Sequence, residues 1–251
     1  MNNEYIKKYI KIYFKTPIVR LVLLITLIAI TISYPENIIY SNDFQWKLYV
    51  MNSNWFIFIF VKIPCLFTLV GKIYSDIFLK NEYISRLGNK KSLLKEVNKI
   101  SILVIMIFIL LTSSYTMVYA IIRSNNHFKS VLVPGILINS FIMFIVNCFR
   151  ALVFMIVFSK IQILLLFSFK NKTVVTFLLF ILDVLMLFLA YLDLPIWLEK
   201  ITPMSLVLEN NLFNNIYECC MISFGVLGFI YYLINYISYK KIKNVDILLK
   251  R

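Results

Sequence analysis

The stretch "ISILVIMIFILLTSSYTMVYAII", Ile100–Ile122, decides the fold class of this chain. It continues for 23 residues without one charged side chain. A helix needs about 20 mostly apolar residues to cross the hydrocarbon core of a bilayer. Because a run of this length also lacks the alternation of a transmembrane strand, it predicts a membrane-spanning helix.

The rest of the chain repeats this pattern. Of its 251 residues, 61% are hydrophobic and 15% are charged, too few polar groups to cover a soluble domain of this size. The sequence therefore predicts an all-α membrane protein with six spans. They are Ile18–Tyr34, Trp55–Gly71, Ile100–Ile122, Ile136–Phe169, Val174–Leu192 and Leu212–Ile237. The fourth run is too long for one straight span, so we expect it to tilt, kink or extend beyond the membrane.

The positive charges orient these spans. Nineteen of the 26 Lys and Arg residues fall in segments on one side of the predicted membrane, and four fall on the other side. Cytoplasmic segments carry such an excess. The pattern predicts that both termini are cytoplasmic, and we expect the first span to be retained because no cleavage site follows it. Anionic lipid accounts for the net charge of +14 without nucleic acid.

Several kinds of chemistry have no support in the sequence. The chain has one histidine, no P-loop motif and no spaced acidic pair inside the predicted spans. We therefore expect no catalytic residue, no metal site and no cofactor in this chain. The four cysteines form no CxxC motif, so they are interpreted as small core residues.

The N-terminal stretch "EYIKKYIKIYF", Glu4–Phe14, predicts a short basic amphipathic helix within residues 1–17. Ile6, Ile10, Tyr13 and Phe14 fall on one face of this helix. The lysines on the opposite face or at its border are Lys7, Lys8, Lys11 and Lys15. Such a helix lies in the cytoplasmic interface of the membrane. It is either a topology anchor or a mechanical part that moves with the first span.

A basic stretch, "EYISRLGNKKSLLKE", lies between the second and third spans at Glu82–Glu96. Within residues 72–99 it predicts a helix, a turn at Gly88-Asn89 and a second helix. One interpretation is a plain positive-inside loop. The other is a hairpin that docks on a soluble partner, and the mixed charge of Glu82 and Glu96 among the cations favours it.

Four charged residues lie inside the predicted spans and away from their ends: Lys62, Arg150, Lys160 and Asp183. A charge inside a membrane is unfavourable by several kcal/mol unless it is paired or hydrated, so these residues are functional candidates. Lys62, Lys160 and Asp183 should lie at a similar depth, about 15 Å from the cytoplasmic side. We expect a Lys160–Asp183 ion pair, which either joins two helices or contacts substrate. We expect Arg150 to face water or lipid headgroups, and Pro64 to bend the second span.

The outer segment "LDLPIWLEKITPMSLVLENNLF", Leu192–Phe213, precedes the sixth span. Pro195 and Pro203 interrupt it, and its remaining residues are largely apolar. It predicts one or two short helices that dip into the outer interface. Such a segment either seals a pathway or forms an inert cap.

Taken in this order, these features resemble the permease subunits of ABC-2 type ABC transporters. The stretch "RLGNKK" at Arg86–Lys91 is similar to the R-x-G-[SN]-[KR]-[KR] pattern of small Gram-positive members, and "FKNK" follows the fourth span at Phe169–Lys172. Small members of this family include exporters of amphipathic peptides such as phenol-soluble modulins and self-immunity pumps against lantibiotics. Where members often have an aromatic residue after the basic pair, this chain has Ser92-Leu93-Leu94.

The resemblance implies a location and a function. The chain would be a permease in the bacterial plasma membrane that exports amphipathic, membrane-active peptides or lipid-like cargo. Its cytoplasmic hairpin would be a coupling helix seated on a separate ATPase, which binds ATP and Mg²⁺. Two ATPases and a second permease, either a copy or a relative, would complete the unit. The implied coupling residues are Arg86, Leu87, Gly88, Asn89, Lys90 and Lys91.

Two other functions remain open. The chain could be a non-transporting scaffold or sensor whose hairpin recruits a cytoplasmic partner. It could also be a gradient-driven transporter with Lys62, Lys160 and Asp183 as a proton relay. The second alternative predicts an inverted repeat, and the unequal loops show none.

Overall fold

The computed structural model describes residues 3–33, 54–78, 90–123, 132–133, 138–169, 171–189, 192, 194–207 and 212–248. Nearly all of these residues are helical. The helices are α1 (Asn3–Tyr13), α2 (Pro17–Ile32), α3 (Trp55–Ile57), α4 (Ile63–Phe78), α5 (Lys90–Arg123), α6 (Ser140–Phe169), α7 (Lys172–Leu189), α8 (Ile196–Glu199), α9 (Pro203–Val207) and α10 (Ile216–Leu248). A π-helical turn, Phe58–Lys62, joins α3 to α4. Strands β1 (Leu132–Val133) and β2 (Ile138–Asn139) pair antiparallel.

The predicted helical class is confirmed, and several of these helices are long and apolar enough to span a membrane. Within the described residues the candidate spans are Phe58–Ile77, Ser92–Arg123, Ser140–Phe169 and Ile216–Lys241. A fifth results if Ile6–Tyr13 and Pro17–Ile32, which are bent by 65°, form one broken span. A shorter apolar helix, Thr173–Leu185, lies within α7. The sequence predicted six spans.

Two predicted spans began too early along the chain. The fourth was predicted from Ile136, but β2 occupies residues 138–139 and α6 begins only at Ser140. The sixth was predicted from Leu212, whereas α10 begins at Ile216. Both errors arose because apolar composition was followed and helix capping was not.

An asparagine marks the start of four helices in the described part of the chain. The side-chain oxygen of each accepts backbone N–H groups of the first turn, which have no partner within the helix. Phe141 and Glu218 each donate such a bond at 2.8 Å. The capping residues of α3, α6, α7 and α10 are Asn54, Asn139, Asn171 and Asn215.

The second predicted span is longer and less regular than expected. Pro64 has no N–H to donate to the carbonyl four residues earlier, and the π-helical turn Phe58–Lys62 includes that position. The helix also continues past Gly71 to Phe78, and within this extension Lys72 pairs with Asp76 at 2.8 Å one turn later.

The central helix of the bundle is α6, which packs against α4, α5, α7, α9 and α10. Its buried residues point in several directions, as expected of a helix surrounded by protein. By contrast, α2 buries a single stripe and exposes its other apolar side chains, which suits contact with lipid. The longest helix, α5, has 34 residues, about 50 Å at 1.5 Å per residue. A hydrocarbon core is only about 30 Å thick, so α5 exceeds it.

Candidate functional site

Arg150 is fully buried on α6 where this helix meets α9 and α10. Its Nε donates to the carbonyl oxygen of Leu206 at 3.0 Å and to Oγ of Ser223 at 3.1 Å. Nη1 donates to Oδ1 of Asn147 at 3.0 Å, and Nη2 donates to the carbonyl of Ser205. One guanidinium group thus joins α6, α9 and α10. We call this set of five residues the Arg150 clamp.

The acceptors in the Arg150 clamp explain how a cation is tolerated at this position. The Ser205 and Leu206 carbonyls belong to the last turn of α9, where carbonyl groups have no partner within the helix and carry partial negative charge. The Phe213 ring adds a cation–π contact at 5.7 Å from Cζ. The expectation that Arg150 faces water or headgroups is wrong, because a short helix supplies the polar groups that water was expected to supply.

Local sequence positions α9 for this contact. Pro203 is its first residue, and a proline is tolerated there because that N–H would have no partner within the helix. The Thr202 hydroxyl lies 2.8 Å from the Ser205 hydroxyl and accepts the Ser205 N–H at 3.4 Å. Lys200, just before α9, pairs with Glu218 of α10 at 2.5 Å. The short-helix segment, residues 194–207, is therefore tied to the bundle at two places.

The predicted Lys160–Asp183 ion pair is not formed. Both residues are buried, on α6 and α7, but the ion pairs among the described residues do not include them. The Lys160 ammonium lies 5.4 Å from the centre of the Tyr231 ring on α10. Oδ1 of Asp183 has no hydrogen-bond partner among the described residues. Equal depth, which motivated the pairing, does not fix the direction in which two helices present their side chains.

Lys62 is the last residue of the π-helical turn and is also buried. Within the described ranges it too forms no ion pair. No ion pair among the described residues therefore joins Lys62, Lys160 and Asp183.

Sequence reasoning missed two buried amide side chains of α6. Asn147 precedes Arg150 by one helical turn and accepts its bond. Gln162 donates from Nε2 to the Phe67 carbonyl of α4 at 2.7 Å. Both are uncharged, so a search for intramembrane charges did not include them. A search for any amide side chain within an apolar run would have found both.

The N-terminal basic residues lie as the helical pattern predicts. Lys7, Lys8, Lys11 and Lys15 are exposed, whereas Ile6 and Tyr13 are buried. The apolar face contacts protein, because α1 packs on α5 and the Tyr13 hydroxyl donates to the Leu69 carbonyl of α4 at 2.8 Å. A turn at residues 14–16, here called the elbow, connects α1 to α2.

The structure describes only two of the six proposed coupling residues. Arg86, Leu87, Gly88 and Asn89 lie outside the described residues, as does the predicted turn. Lys90 and Lys91 are the first two residues of α5. The second helix of the predicted hairpin is thus continuous with the next span.

The described residues contain no group of three His, Cys, Asp or Glu side chains that could hold a metal ion. Comparison with protein-family models, characterised proteins and solved structures gives no match. What this chain does must therefore be argued from its own residues.

Proposed function

We propose that this chain is the permease subunit of an ATP-driven exporter in a bacterial plasma membrane. The proposed arrangement has six spans and cytoplasmic termini, with α1 on the cytoplasmic surface and the short-helix segment on the outer surface. The Arg150 clamp supports this proposal most strongly. It joins an interrupted segment to two long helices through a buried cation, an arrangement suited to closing and opening a pathway between those helices.

The proposed source of energy is a separate ATPase subunit that binds ATP and Mg²⁺. It would contact Arg86–Lys91, immediately before α5. Because α5 is continuous from Lys90 to Arg123, a partner that moves this stretch also moves a membrane span. The working unit would contain two ATPases and a second permease, with no nucleic acid and no catalytic residue in this chain.

The proposed cargo is an amphipathic, membrane-active peptide or a lipid-like molecule. The helices expose large apolar side chains, among them Leu110, Phe177 and Phe229. A route between such helices suits cargo that already partitions into the bilayer. A sugar or an ion would need a more polar lining.

Purification from the native membrane tests the proposed partner. Tagged full-length protein is solubilised gently, and the proteins that copurify in stoichiometric amount are identified. We expect a P-loop ATPase, and we expect Arg86→Glu with Lys90→Glu to release it. The matched control is Lys7→Glu with Lys8→Glu, which reverses two exposed charges on α1 and should leave the ATPase bound.

The same experiment can reject the proposal. A chain that purifies alone from native membranes, or an ATPase that is retained by the Arg86 and Lys90 variant, would contradict the coupling role of this stretch. Equal release by both pairs of charge reversals would indicate general electrostatic attraction and no specific docking.

A gradient-driven transporter is the second candidate, favoured by buried Lys62, Lys160 and Asp183, which form no ion pair within the described residues. It predicts that the chain alone, in vesicles without ATPase, moves cargo when a pH gradient is imposed. Asp183→Asn would abolish that movement. Transport that requires ATP and ignores the gradient would exclude this candidate.

A further inference from the structure

The lysines of α1 form an exposed basic face. Lys7, Lys8 and Lys11 are exposed, and at about 100° per residue they lie on one side of this helix. The buried residues Ile6 and Tyr13 lie on the opposite side. The ion pairs among the described residues involve none of these lysines. We call Lys7, Lys8 and Lys11 the α1 lysine face, and no ion pair within the described ranges neutralises its charge.

The opposite face of α1 is covered by protein. α1 packs on α5, and the Tyr13 hydroxyl donates to the Leu69 carbonyl of α4 at 2.8 Å. Ile6 and Tyr13 both belong to the main hydrophobic core. An amphipathic helix at a membrane surface usually buries its apolar face among the acyl chains. Because the bundle already covers that face in α1, a membrane would be contacted chiefly through the α1 lysine face.

α1 leaves the bundle near the level where its neighbours become free of charge. α2 has no charged residue within Leu21–Ile32, and α4 has none within Ile63–Gly71. Tyr13, the last residue of α1, bonds to Leu69 near the end of the α4 stretch. The axes of α1 and α2 are bent by 65°, so α1 runs across the end of α2 and does not continue it. With the charge-free stretches in hydrocarbon, α1 runs along the layer of lipid headgroups.

We propose that the α1 lysine face binds anionic phospholipid headgroups of the cytoplasmic leaflet. The ammonium groups contact the phosphates, while the apolar face of α1 stays on the bundle and does not enter the bilayer. The assignment to the cytoplasmic leaflet rests on the proposed function, whereas the contact itself does not require transport. Each basic residue near an anionic membrane surface favours binding by about fivefold. An anionic lipid should therefore be enriched beside α1 at least about fivefold over a zwitterionic lipid.

Quenching of a tryptophan on α1 by brominated lipid measures this enrichment. Trp46, Trp55 and Trp197 are replaced by phenylalanine, and Ile12→Trp places a single reporter at an α1 position that is 56% exposed. The full-length chain is reconstituted in nanodiscs of phosphatidylcholine with a minor fraction of phosphatidylglycerol. Either lipid is brominated in turn, with identical acyl chains. We expect each phosphatidylglycerol molecule to quench the reporter at least about fivefold more than each phosphatidylcholine molecule.

Matched controls make this measurement specific to the α1 lysine face. Replacing its three lysines by glutamine should abolish the preference for phosphatidylglycerol, whereas Arg123→Gln, which removes an exposed charge at the other end of α5, should not. Leu110→Trp places the single reporter at an exposed position in a charge-free stretch of α5, where we expect no preference. Raising the salt concentration from about 0.1 M to about 1 M shortens the screening length from about 10 Å to about 3 Å, so the preference at Ile12→Trp should also fall.

Three results would overturn the proposed lipid contact. The first is equal quenching by the two lipids at Ile12→Trp with all lysines present, which would favour an acidic protein as the partner of this face. The second is a preference for phosphatidylglycerol that survives the lysine replacements or high salt. The third is the same preference at Leu110→Trp, which would indicate diffuse enrichment around the whole chain. Because the nanodiscs contain neither ATPase nor cargo, these results would leave the proposed exporter untouched.

Discussion

Arg150 and Lys160 are cations ten residues apart on the same helix, yet their surroundings differ. Arg150 donates to oxygens of α6, α9 and α10, whereas the contact found for Lys160 is the face of the Tyr231 ring. The difference comes from the neighbouring backbone. A short helix such as α9 has carbonyls with no partner within it, whereas carbonyls in the middle of long helices are already bonded. A planar guanidinium can bond to several such oxygens at once, and a compact ammonium cannot.

The largest expected effect follows from removing Arg150. Arg150→Ala removes a buried guanidinium that bonds to oxygens of α6, α9 and α10, and loss of a buried, bonded charge destabilises a protein by about 3–5 kcal/mol. Unfolding of the purified protein in mixed detergent, followed by circular dichroism, measures this loss. The control is Arg123→Ala, at the exposed end of α5. If Arg150→Ala were as stable as the wild type, the clamp would have no structural role.

Replacing Asp183 should change the free energy of unfolding in the opposite direction. Because its buried Oδ1 has no described partner, Asp183→Leu should stabilise the fold by about 1–3 kcal/mol. The same unfolding assay detects the shift. Asp76→Leu, which removes the partner of Lys72, should not stabilise. A stabilised Asp183→Leu variant that fails to transport would indicate a functional carboxylate; a destabilised one would show that Asp183 is bonded.

Tyr13→Phe should have a smaller effect. It deletes the hydroxyl that bonds to the Leu69 carbonyl and keeps the buried ring, so we expect a loss of about 1 kcal/mol. Limited proteolysis should also cut the elbow faster. Tyr217→Phe, an exposed tyrosine of α10, is the matched control. Unchanged stability and proteolysis together would show that the hydroxyl does not fix the elbow.

The smallest expected value is the coupling between Lys160 and Asp183. Because no ion pair joins them, the effects of Lys160→Met and Asp183→Asn on the free energy of unfolding should add within about 0.5 kcal/mol. A double-mutant cycle measures this. A coupling energy of about 1 kcal/mol or more would support the ion pair that was predicted from the similar membrane depth of the two residues.

The membrane class was predictable because it depends on composition and run length. The run Ile100–Ile122 lies within α5, and the run predicted to end at Phe169 ends where α6 ends. Helix starts were less predictable from apolarity alone, although the capping asparagines were visible. Asn139 and Asn215 each stand directly before the observed start.

The surroundings of the buried charges were not predictable from the sequence. Sequence gives the approximate depth of Arg150 and Asp183 but neither helix rotation nor neighbours. Two of the acceptors of Arg150 are backbone carbonyl oxygens. A helical carbonyl lacks a partner within its helix only in the last turn, so these acceptors depend on where α9 ends. α9 ends at Val207, and the position of this end next to Arg150 depends on tertiary packing.

The length of α5 has a mechanical consequence. A rigid rod of about 50 Å converts a tilt of about 10° at Lys90 into a displacement of about 9 Å at Arg123. A small rotation next to Arg86–Asn89 therefore becomes a large stroke at the far end. With α1 packed on α5 and α2 joined through the elbow, the same rotation would pull the first helices along. In the proposed exporter, α5 would act as a lever whose function depends on its stiffness, and glycine or proline within Ser92–Ile122 would uncouple its two ends.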